Sequence, residues 1–193
     1  MGEKYYVKEY VRDRIQKLLK EKDMGGGKAA LANLRRGAGK IPGELPDLWG
    51  VFLERMPEKW MREDGIPSRE EWAVYISLTM FSIHQQGTSR PMYAEGEMFG
   101  TAVRKLVDPT VEGDEERILR RWNPLVTATD MEEVSHHLRA LVQLLRAKEI
   151  PLDYGQLAED LVFFQIPDSR TRVQLRWGQD FYRIFKEKEG EKV

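Results

Sequence analysis

Apolar residues recur every three or four positions through most of the 193-residue chain, and this spacing constrains the fold more than any other feature. Such spacing places the apolar side chains on one face of an α-helix and leaves the charged residues between them in water. Near the N-terminus the residues with this spacing are Val7, Val11, Ile15 and Leu18. No stretch alternates with the period of two that a half-buried strand requires, so the sequence predicts an all-α protein.

Helix starts are marked by side chains that can accept hydrogen bonds from exposed backbone amides. Ser68 and Glu71 have the spacing of a capping box. Asp130 and Asp153 occupy the corresponding first position of two later helical patterns. The longer predicted helices cover about 68–86, 130–148, 153–166 and 169–188. Shorter helices are predicted over 29–36, 45–56 and 97–107.

Glycines interrupt the pattern at two places where a phosphate-binding loop has to be considered. Three glycines at 25–27 precede Lys28, and Gly39 precedes Lys40. Neither lysine is followed by the Ser or Thr with which a Walker loop holds magnesium. We therefore predict flexible turns between helices at both places, with the glycines at 25–27 ending the first helix.

A break in the middle of the chain predicts two small helical bundles that pack together. Asp108-Pro109 ends one helical segment, and the acidic, turn-prone run 112–116 follows it. We place the domain boundary here, which gives an N-terminal helical domain of residues 1–110 and a C-terminal helical domain of residues 111–193.

Charge and composition exclude several classes of protein. The chain has 31 Lys and Arg against 32 Asp and Glu, so a diffuse basic surface for binding polyanions is excluded. The absence of cysteine excludes disulfides, thiolate catalysis and cysteine metal sites. No apolar run approaches the roughly 18 to 20 residues of a membrane span, and no apolar signal region follows a basic start. We expect a soluble, cytoplasmic protein with no membrane partner.

No motif predicts a catalytic or metal site. The histidines are His84, His136 and His137, and 133–136 matches the Glu-x-x-His unit of di-iron bundles. The second unit and the further glutamates that such sites need are missing. We expect no enzyme activity, no cofactor and no small-molecule substrate. A helical metal hydrolase that uses His84 and His136 is the third-ranked hypothesis.

Two local clusters of cations can bind a polyanion on this nearly neutral chain. Residues 28–40 contain four cations, Lys28, Arg35, Arg36 and Lys40, and no anion. A helix C-terminus paired with its own dipole is the alternative explanation for Arg35 and Arg36.

The second cluster lies on the last predicted helix. Arg172, Arg176, Gln179, Arg183 and Lys186 fall in a sector roughly 80° wide that contains no acid, since Asp180 lies outside it. Such a stripe can follow successive phosphates without reading sequence, whereas a solvated helix face is the alternative. Arg139, Gln143 and Arg146 form another polar stripe on the helix at 130–148.

Three segments of the chain form a recognisable pattern in their order and spacing. The segments are Ala29-Ala30-Leu31-Ala32-Asn33-Leu34-Arg35-Arg36-Gly37-Ala38-Gly39-Lys40, then His137-Leu138-Arg139-Ala140-Leu141-Val142 leading to Leu152-Asp153-Tyr154, and Val173-Gln174-Leu175-Arg176-Trp177-Gly178-Gln179-Asp180-Phe181-Tyr182. Together these segments resemble the CasB family, the small subunit of the type I-E CRISPR surveillance complex called Cascade. Ile83-His84-Gln85 lies between the first two, and the likeness extends from about residue 28 to residue 185.

The resemblance implies two helical domains and a non-catalytic subunit that is present in two copies beside the other Cascade subunits. It also implies contact with the guide RNA and target DNA backbone and stabilisation of the displaced strand of the R-loop. The family's basic residues match here at Arg35, Arg36, Lys40, Arg170, Arg172 and Arg176, and less closely at Arg139. With the cations of the two clusters, the candidate nucleic-acid-binding residues are Lys28, Arg35, Arg36, Lys40, Arg139, Arg170, Arg172, Arg176 and Arg183.

A helical adaptor whose basic stripes pair with an acidic protein partner is the second-ranked hypothesis. For the preferred one, we expect Arg172 and Arg176 changed together to Ala to weaken binding of single-stranded DNA and to leave thermal stability nearly unchanged.

Overall fold

The computed structural model describes residues 6–183, and this part of the chain is all-α, as predicted. The helices are α1 (Val7–Glu21), α2 (Gly25–Gly37), α3 (Trp49–Phe52), α4 (Arg69–His84), α5 (Phe99–Arg104), α6 (Asp114–Val126), α7 (Met131–Ala147), α8 (Tyr154–Phe164) and α9 (Pro167–Tyr182). Short 3-10 turns cover Pro46–Leu48 and Glu58–Trp60. In the described range, no helix is both long and apolar enough to cross a membrane.

The three predicted helix caps are confirmed. The Ser68 hydroxyl accepts a hydrogen bond from the Glu71 amide at 3.0 Å, and the Glu71 carboxylate accepts one from the Ser68 amide at 2.7 Å. Asp130 and Asp153 accept from the amides three residues ahead, at 2.8 and 2.9 Å. Each cap satisfies amides that the first turn of a helix leaves without a partner.

The glycines at 25–27 do not form the predicted flexible turn. Helix α1 ends earlier, at Glu21, and the glycines are the first turn of α2. Gly27 is buried where α2 meets the end of α1, and a Cβ atom there would overlap the backbone of Glu21. Glycine is therefore used for close helix packing at this position. Gly39, with φ of 86°, does lie in the predicted turn after α2.

Three other predicted ranges differ from the structure. The helix predicted at 45–56 is a 3-10 turn followed by the short helix α3. The acidic run 112–116 was predicted as a turn, but its residues 114–116 form the first turn of α6. The three acids are favourable there because they complement the helix dipole. The last helix begins at Pro167, and the predicted residues beyond 183, Lys186 among them, lie outside the described residues.

Helix α4 forms the centre of the core. Residues 73–85 are buried on every side, because α2, α7 and α8 all pack against this helix. Helix α8 also packs on α1, and α5 packs on α9. The division of the chain near residue 110 stays a prediction, and all of these packed pairs except α2 with α4 join helices on either side of it.

An aromatic cluster fixes α9 to the rest of the molecule. Trp177 and Phe181 are buried, and the ring of Trp177 stacks on Phe164 with centroids 5.6 Å apart. Phe99 contacts Trp177 edge-on at 5.1 Å, and Trp122 stacks on Phe181 at 5.5 Å. Because these rings set the rotation of α9, they decide which of its residues face solvent.

Candidate nucleic-acid interface

A groove lies between α2 and the loop that follows α4, and it contains two of the predicted residues, Lys28 and Arg35. These residues are seven positions apart, so their side chains leave α2 within about 20° of each other. The cavity has a volume of about 600 Å³. Its lining residues are Lys22, Asp23, Lys28, Leu31, Ala32, Arg35, Gln85, Gln86, Gly87, Thr88 and Ser89.

The C-terminal end of α2 is fixed to α4 by a buried contact. The Tyr75 hydroxyl donates a hydrogen bond to the carbonyl oxygen of Gly37 at 3.0 Å. Burial raises the pKa of Tyr75 to about 12, so the hydroxyl remains a donor at neutral pH. Gly37 allows this approach, since a Cβ atom there would press on Tyr75 and Leu48. The contact fixes the last turn of α2, which contains Arg35, against α4.

Helix α7 brings two further arginines close to this cavity. Nη1 of Arg139 lies 3.5 Å from the carbonyl oxygen of Ala38, just after α2. One heptad further on, Nη1 of Arg146 donates to Oε1 of Gln86 at 3.1 Å. The structure therefore brings Arg139 to the first cation cluster. We call the cations Lys22, Lys28, Arg35, Arg139 and Arg146 the basic groove.

Two members of the basic groove, Lys22 and Arg146, were absent from the predicted site. Lys22 lies between α1 and α2, where its Nζ donates to the carbonyl oxygen of Ser89 at 2.8 Å. The signal for Arg146 was the polar stripe that it shares with Arg139. No comparable signal exists for Lys22, because the distant loop at 85–89 brings it into the groove.

The cations of the basic groove are not neutralised by the protein. Among residues 6–183, none of the five has a carboxylate within 4 Å. Asp23 is the acid that lines the cavity. Arg36 and Lys40, by contrast, have partners: Arg36 lies 3.6 Å from Asp47, and Lys40 forms an ion pair with Glu44.

A buried histidine directly precedes Gln85 and Gln86, two residues that line the groove. His84 Nδ1 lies 3.0 Å from the hydroxyl of Tyr154, and both side chains are fully buried. Burial lowers the pKa of His84 to about 4, against a smaller opposing effect of the Ile150 and Leu145 backbone. The ring is neutral at physiological pH. Across residues 6–183, no group of three His, Asp or Glu side chains is placed to hold a metal ion.

Most arginines of α9, unlike the cations of the basic groove, use their guanidinium groups in ion pairs or aromatic contacts within the protein. Arg176 forms an ion pair with Asp160 of α8, a carboxylate that also accepts from Trp177 Nε1 at 2.6 Å. Arg183 lies 3.4 Å from Asp180, the acid placed outside the stripe by the helical wheel. We call Arg170, Arg172, Arg176 and Arg183 the α9 arginines.

The other two α9 arginines differ from each other. The Nε of Arg170 donates to the carbonyl oxygen of Phe164 at 2.9 Å, and its guanidinium lies 5.0 Å from the centroid of that ring. Arg172 is exposed and has no carboxylate within 4 Å among the described residues. Of the four, Arg172 therefore has the charge most available to an external phosphate.

A family profile and two solved structures are similar to this chain. The family profile described as CRISPR-associated protein Cse2 matches residues 30–182, a range that contains every predicted site residue except Lys28 and Arg183. The crystal structure of CasB from Thermobifida fusca is similar, with a TM-score of 0.75 and 32% identity over 91% of this chain and 97% of that chain.

A second solved structure is a CRISPR-associated protein of the Cse2 family from Thermus thermophilus. It has a TM-score of 0.67 and 20% identity, and the match covers 89% of this chain and 97% of that chain. At this identity the likeness concerns the fold alone. No curated protein matches the sequence.

Proposed function

Because the chain belongs to the family of CRISPR-associated protein Cse2, we propose that it is the non-catalytic small subunit of a Cascade-type surveillance complex. In this role it binds the backbone of nucleic acid without reading sequence, and it stabilises the R-loop of guide RNA and target DNA together with the displaced strand. Its partners are the other subunits and a second copy of itself. The complex acts in the cytoplasm, in antiviral defence.

The basic groove is the observation that carries this proposal. Its five cations lack carboxylate partners in the described chain, so phosphates can replace water and counterions around them. The lining of the cavity contains no aromatic ring on which a base could stack. Contacts limited to phosphates give binding that depends on charge and not on sequence. Base pairing with the guide then supplies the specificity of the complex.

The remaining predicted residues have secondary places in this proposal. Arg172 extends the phosphate-binding surface beyond the groove. Five further residues stay candidates, although each must first leave or share a contact within the protein: Arg36, Lys40, Arg170, Arg176 and Arg183. No catalytic residue enters the proposal.

Titration of single-stranded DNA with the variant Arg35→Ala/Arg139→Ala tests the proposal. We expect roughly hundredfold or greater loss of affinity, because each of the two arginines removed gives up a charge-assisted contact of about 1.5–3 kcal/mol and about 1.4 kcal/mol is a factor of ten. The slope of log affinity against log salt should fall by about 1.4, since each lost single-strand phosphate contact contributes about 0.7. Fluorescence anisotropy over a salt series measures both quantities.

The matched control is Lys59→Ala/Arg120→Ala, which removes the same charge from exposed positions outside the groove. It should change affinity less than twofold. Equal losses in the two double variants would show that net charge, and not the groove, determines binding. If wild type binds no nucleic acid but co-purifies with an acidic subunit, the adaptor hypothesis replaces this one.

A further inference from the structure

The loop that follows α4 is organised around one buried side chain, that of Gln85. This side chain is 5% exposed, and its amide nitrogen donates to the hydroxyl of Thr88 at 2.9 Å and to the carbonyl oxygen of Arg90 at 2.9 Å. Its amide oxygen accepts a hydrogen bond from the backbone amide of Met92 at 3.0 Å. Gln85 therefore uses both its donor and its acceptor on atoms of the following loop. We call residues 86–92 the groove loop.

Thr88 adds further contacts within the groove loop. Its hydroxyl lies 3.2 Å from the carbonyl oxygen of Gln85 and 3.3 Å from that of Arg90. Gly87, with φ of 77°, supplies the left-handed backbone conformation that the turn requires. Because a buried amide that loses its partners is costly, the shape of the groove loop depends on Gln85.

Two cations of the basic groove are attached to the groove loop. Nζ of Lys22 donates to the carbonyl oxygen of Ser89 at 2.8 Å. Nη1 of Arg146 donates to Oε1 of Gln86 at 3.1 Å. Both acceptors are uncharged, so these contacts orient the two side chains and leave their charges unneutralised. Lys22 precedes α2 and Arg146 belongs to α7, and the groove loop is the element that both contact.

We infer that Gln85 is a positioning residue of the basic groove. Its side chain fixes the groove loop, and the groove loop places Lys22 and Arg146 for contact with phosphates. Gln85 acts through the loop because its own amide is already satisfied by protein atoms. Cations that are held in place before binding lose less conformational entropy when a strand enters the groove. The inference deepens the proposed function and rests on it for the identity of the ligand.

A double-mutant cycle on the binding of single-stranded DNA tests the inference. Gln85→Met keeps the length of the side chain and removes its amide. We expect it to lower affinity about fivefold in the wild-type chain and less than twofold in Lys22→Ala/Arg146→Ala, because changes that act through the same contacts are not additive. In the Arg172→Ala background the loss should again be about fivefold, since Arg172 lies on α9, outside the groove.

Fluorescence anisotropy over a salt series measures these affinities. The slope of log affinity against log salt should also fall in Gln85→Met, by at most about 1.4, since two single-strand phosphate contacts of about 0.7 each depend on the groove loop. A general loss of stability would lower affinity by the same factor in all three backgrounds. Equal factors would therefore overturn the inference.

Gln165→Met is the matched control, because it also removes a side-chain amide that bonds to backbone. Gln165 is half-buried, and its amide nitrogen donates to the carbonyl oxygens of Arg69 at 2.9 Å and Leu161 at 3.0 Å, outside the groove. This variant should change affinity less than twofold. Losses of the same size in Gln85→Met and Gln165→Met would contradict a role that is specific to the groove.

Thr88→Val provides a second variant in case urea unfolding shows that Gln85→Met does not fold. Valine keeps the shape of Thr88 and removes the hydroxyl that contacts Gln85 and Arg90. It should lower affinity about twofold to threefold in the wild-type chain, and it should have no effect in Lys22→Ala/Arg146→Ala. Wild-type affinity in Thr88→Val would then decide against the inference.

The positioning inference and the proposed function fail in different ways. If wild type binds single-stranded DNA and folded Gln85→Met binds it equally well, the positioning inference is wrong and the proposed function stands. If wild type itself binds no nucleic acid, the proposed function fails and the positioning inference fails with it.

Discussion

The basic groove and the α9 arginines contain the same kinds of cation in opposite surroundings. None of the five groove cations has a carboxylate within 4 Å in the described chain, and three of them, Lys22, Arg139 and Arg146, lie beside backbone or amide oxygens. Three of the four α9 arginines use their guanidinium groups within the protein, and Arg176 pairs with a buried acid from α8. A cation already neutralised by its own fold adds little to phosphate binding, so density of arginine along a helix does not measure affinity.

The buried groups near these two regions also differ, and they respond to pH in opposite directions. Burial lowers the pKa of His84 to about 4. Burial is likewise the largest influence on Asp160, whose pKa it raises against the opposing effects of Gln156, Arg176 and Trp177. Burial therefore disfavours the charged form of each group, and in Asp160 the contacts with Gln156, Arg176 and Trp177 oppose this effect. Acid removes the stability that neutral His84 contributes, whereas the contribution of Asp160 is lost as pH rises from about 3.8 through its folded-state pKa.

The largest effect predicted from this contrast is acid destabilisation through His84. The unfolded chain takes up a proton near pH 6.5 and the folded chain only near pH 4, so stability is fully present above about 6.5 and falls towards 4. The difference corresponds to about 3 kcal/mol over the whole window. Urea unfolding at a series of pH values measures it, and His84→Gln should flatten the curve between about pH 6.5 and 4.5.

His136→Gln is the control for this experiment, because His136 is exposed on α7. It should retain the wild-type slope. The carboxylates paired with surface cations, such as Glu54 with a pKa of about 2, release their contribution at lower pH and do not enter this window. A slope unchanged by His84→Gln would mean that His84 titrates in the fold as it does in the unfolded chain.

The next largest effect concerns Asp160, the buried acid of α8 that pairs with Arg176 of α9. Asp160→Ala removes the acceptor of the Trp177 indole N–H at 2.6 Å and the partner of Arg176. We expect a loss of about 2 kcal/mol in the free energy of unfolding, the cost of leaving a buried donor unsatisfied. Asp168→Ala, an exposed change in the first turn of α9, should cost less than about 1 kcal/mol. A thermal melt of both variants makes the comparison, and equal losses would contradict a special role for Asp160.

Most of the fold followed from local signals in the sequence. The caps at Ser68, Asp130 and Asp153 were recognised because capping depends on residues three positions apart. The start of α2 was missed because Gly25–Gly27 looks unfavourable for a helix until the end of α1 is seen to lie against Gly27. Tertiary packing decided that element, and no local pattern reports it.

The candidate site, like the fold, contains residues that local spacing predicts and contacts that only tertiary packing creates. Lys28 and Arg35 share one face of α2, a relation that the period of the helix predicts. The approach of Arg139 to Ala38 joins residues 101 positions apart, and the resemblance to a family, not the spacing, had indicated Arg139. The pairing of Arg176 with Asp160 was missed because a helical wheel displays the charges of its own helix and omits acids from the neighbouring one.

The smallest effects separate the two neighbouring arginines of α9. The expectation that Arg172→Ala/Arg176→Ala leaves thermal stability nearly unchanged is revised for Arg176, because this arginine is the ion-pair partner of a side chain only 4% exposed. Arg176→Ala should lower the free energy of unfolding by about 1 kcal/mol, less than a fully buried pair because the guanidinium is half in water.

Arg172→Ala should change stability little and weaken nucleic-acid binding. Arg172 is exposed without a carboxylate partner in the described chain, so its loss should leave stability within about 0.5 kcal/mol of wild type. Affinity for single-stranded DNA should fall about threefold in Arg172→Ala and less than twofold in Arg176→Ala, since only the former gives up a free charge. Thermal melts and anisotropy titrations on the two single variants measure both changes. If Arg176→Ala weakens binding more than Arg172→Ala does, the ion pair with Asp160 must open when nucleic acid binds, and the α9 arginines then belong with the basic groove.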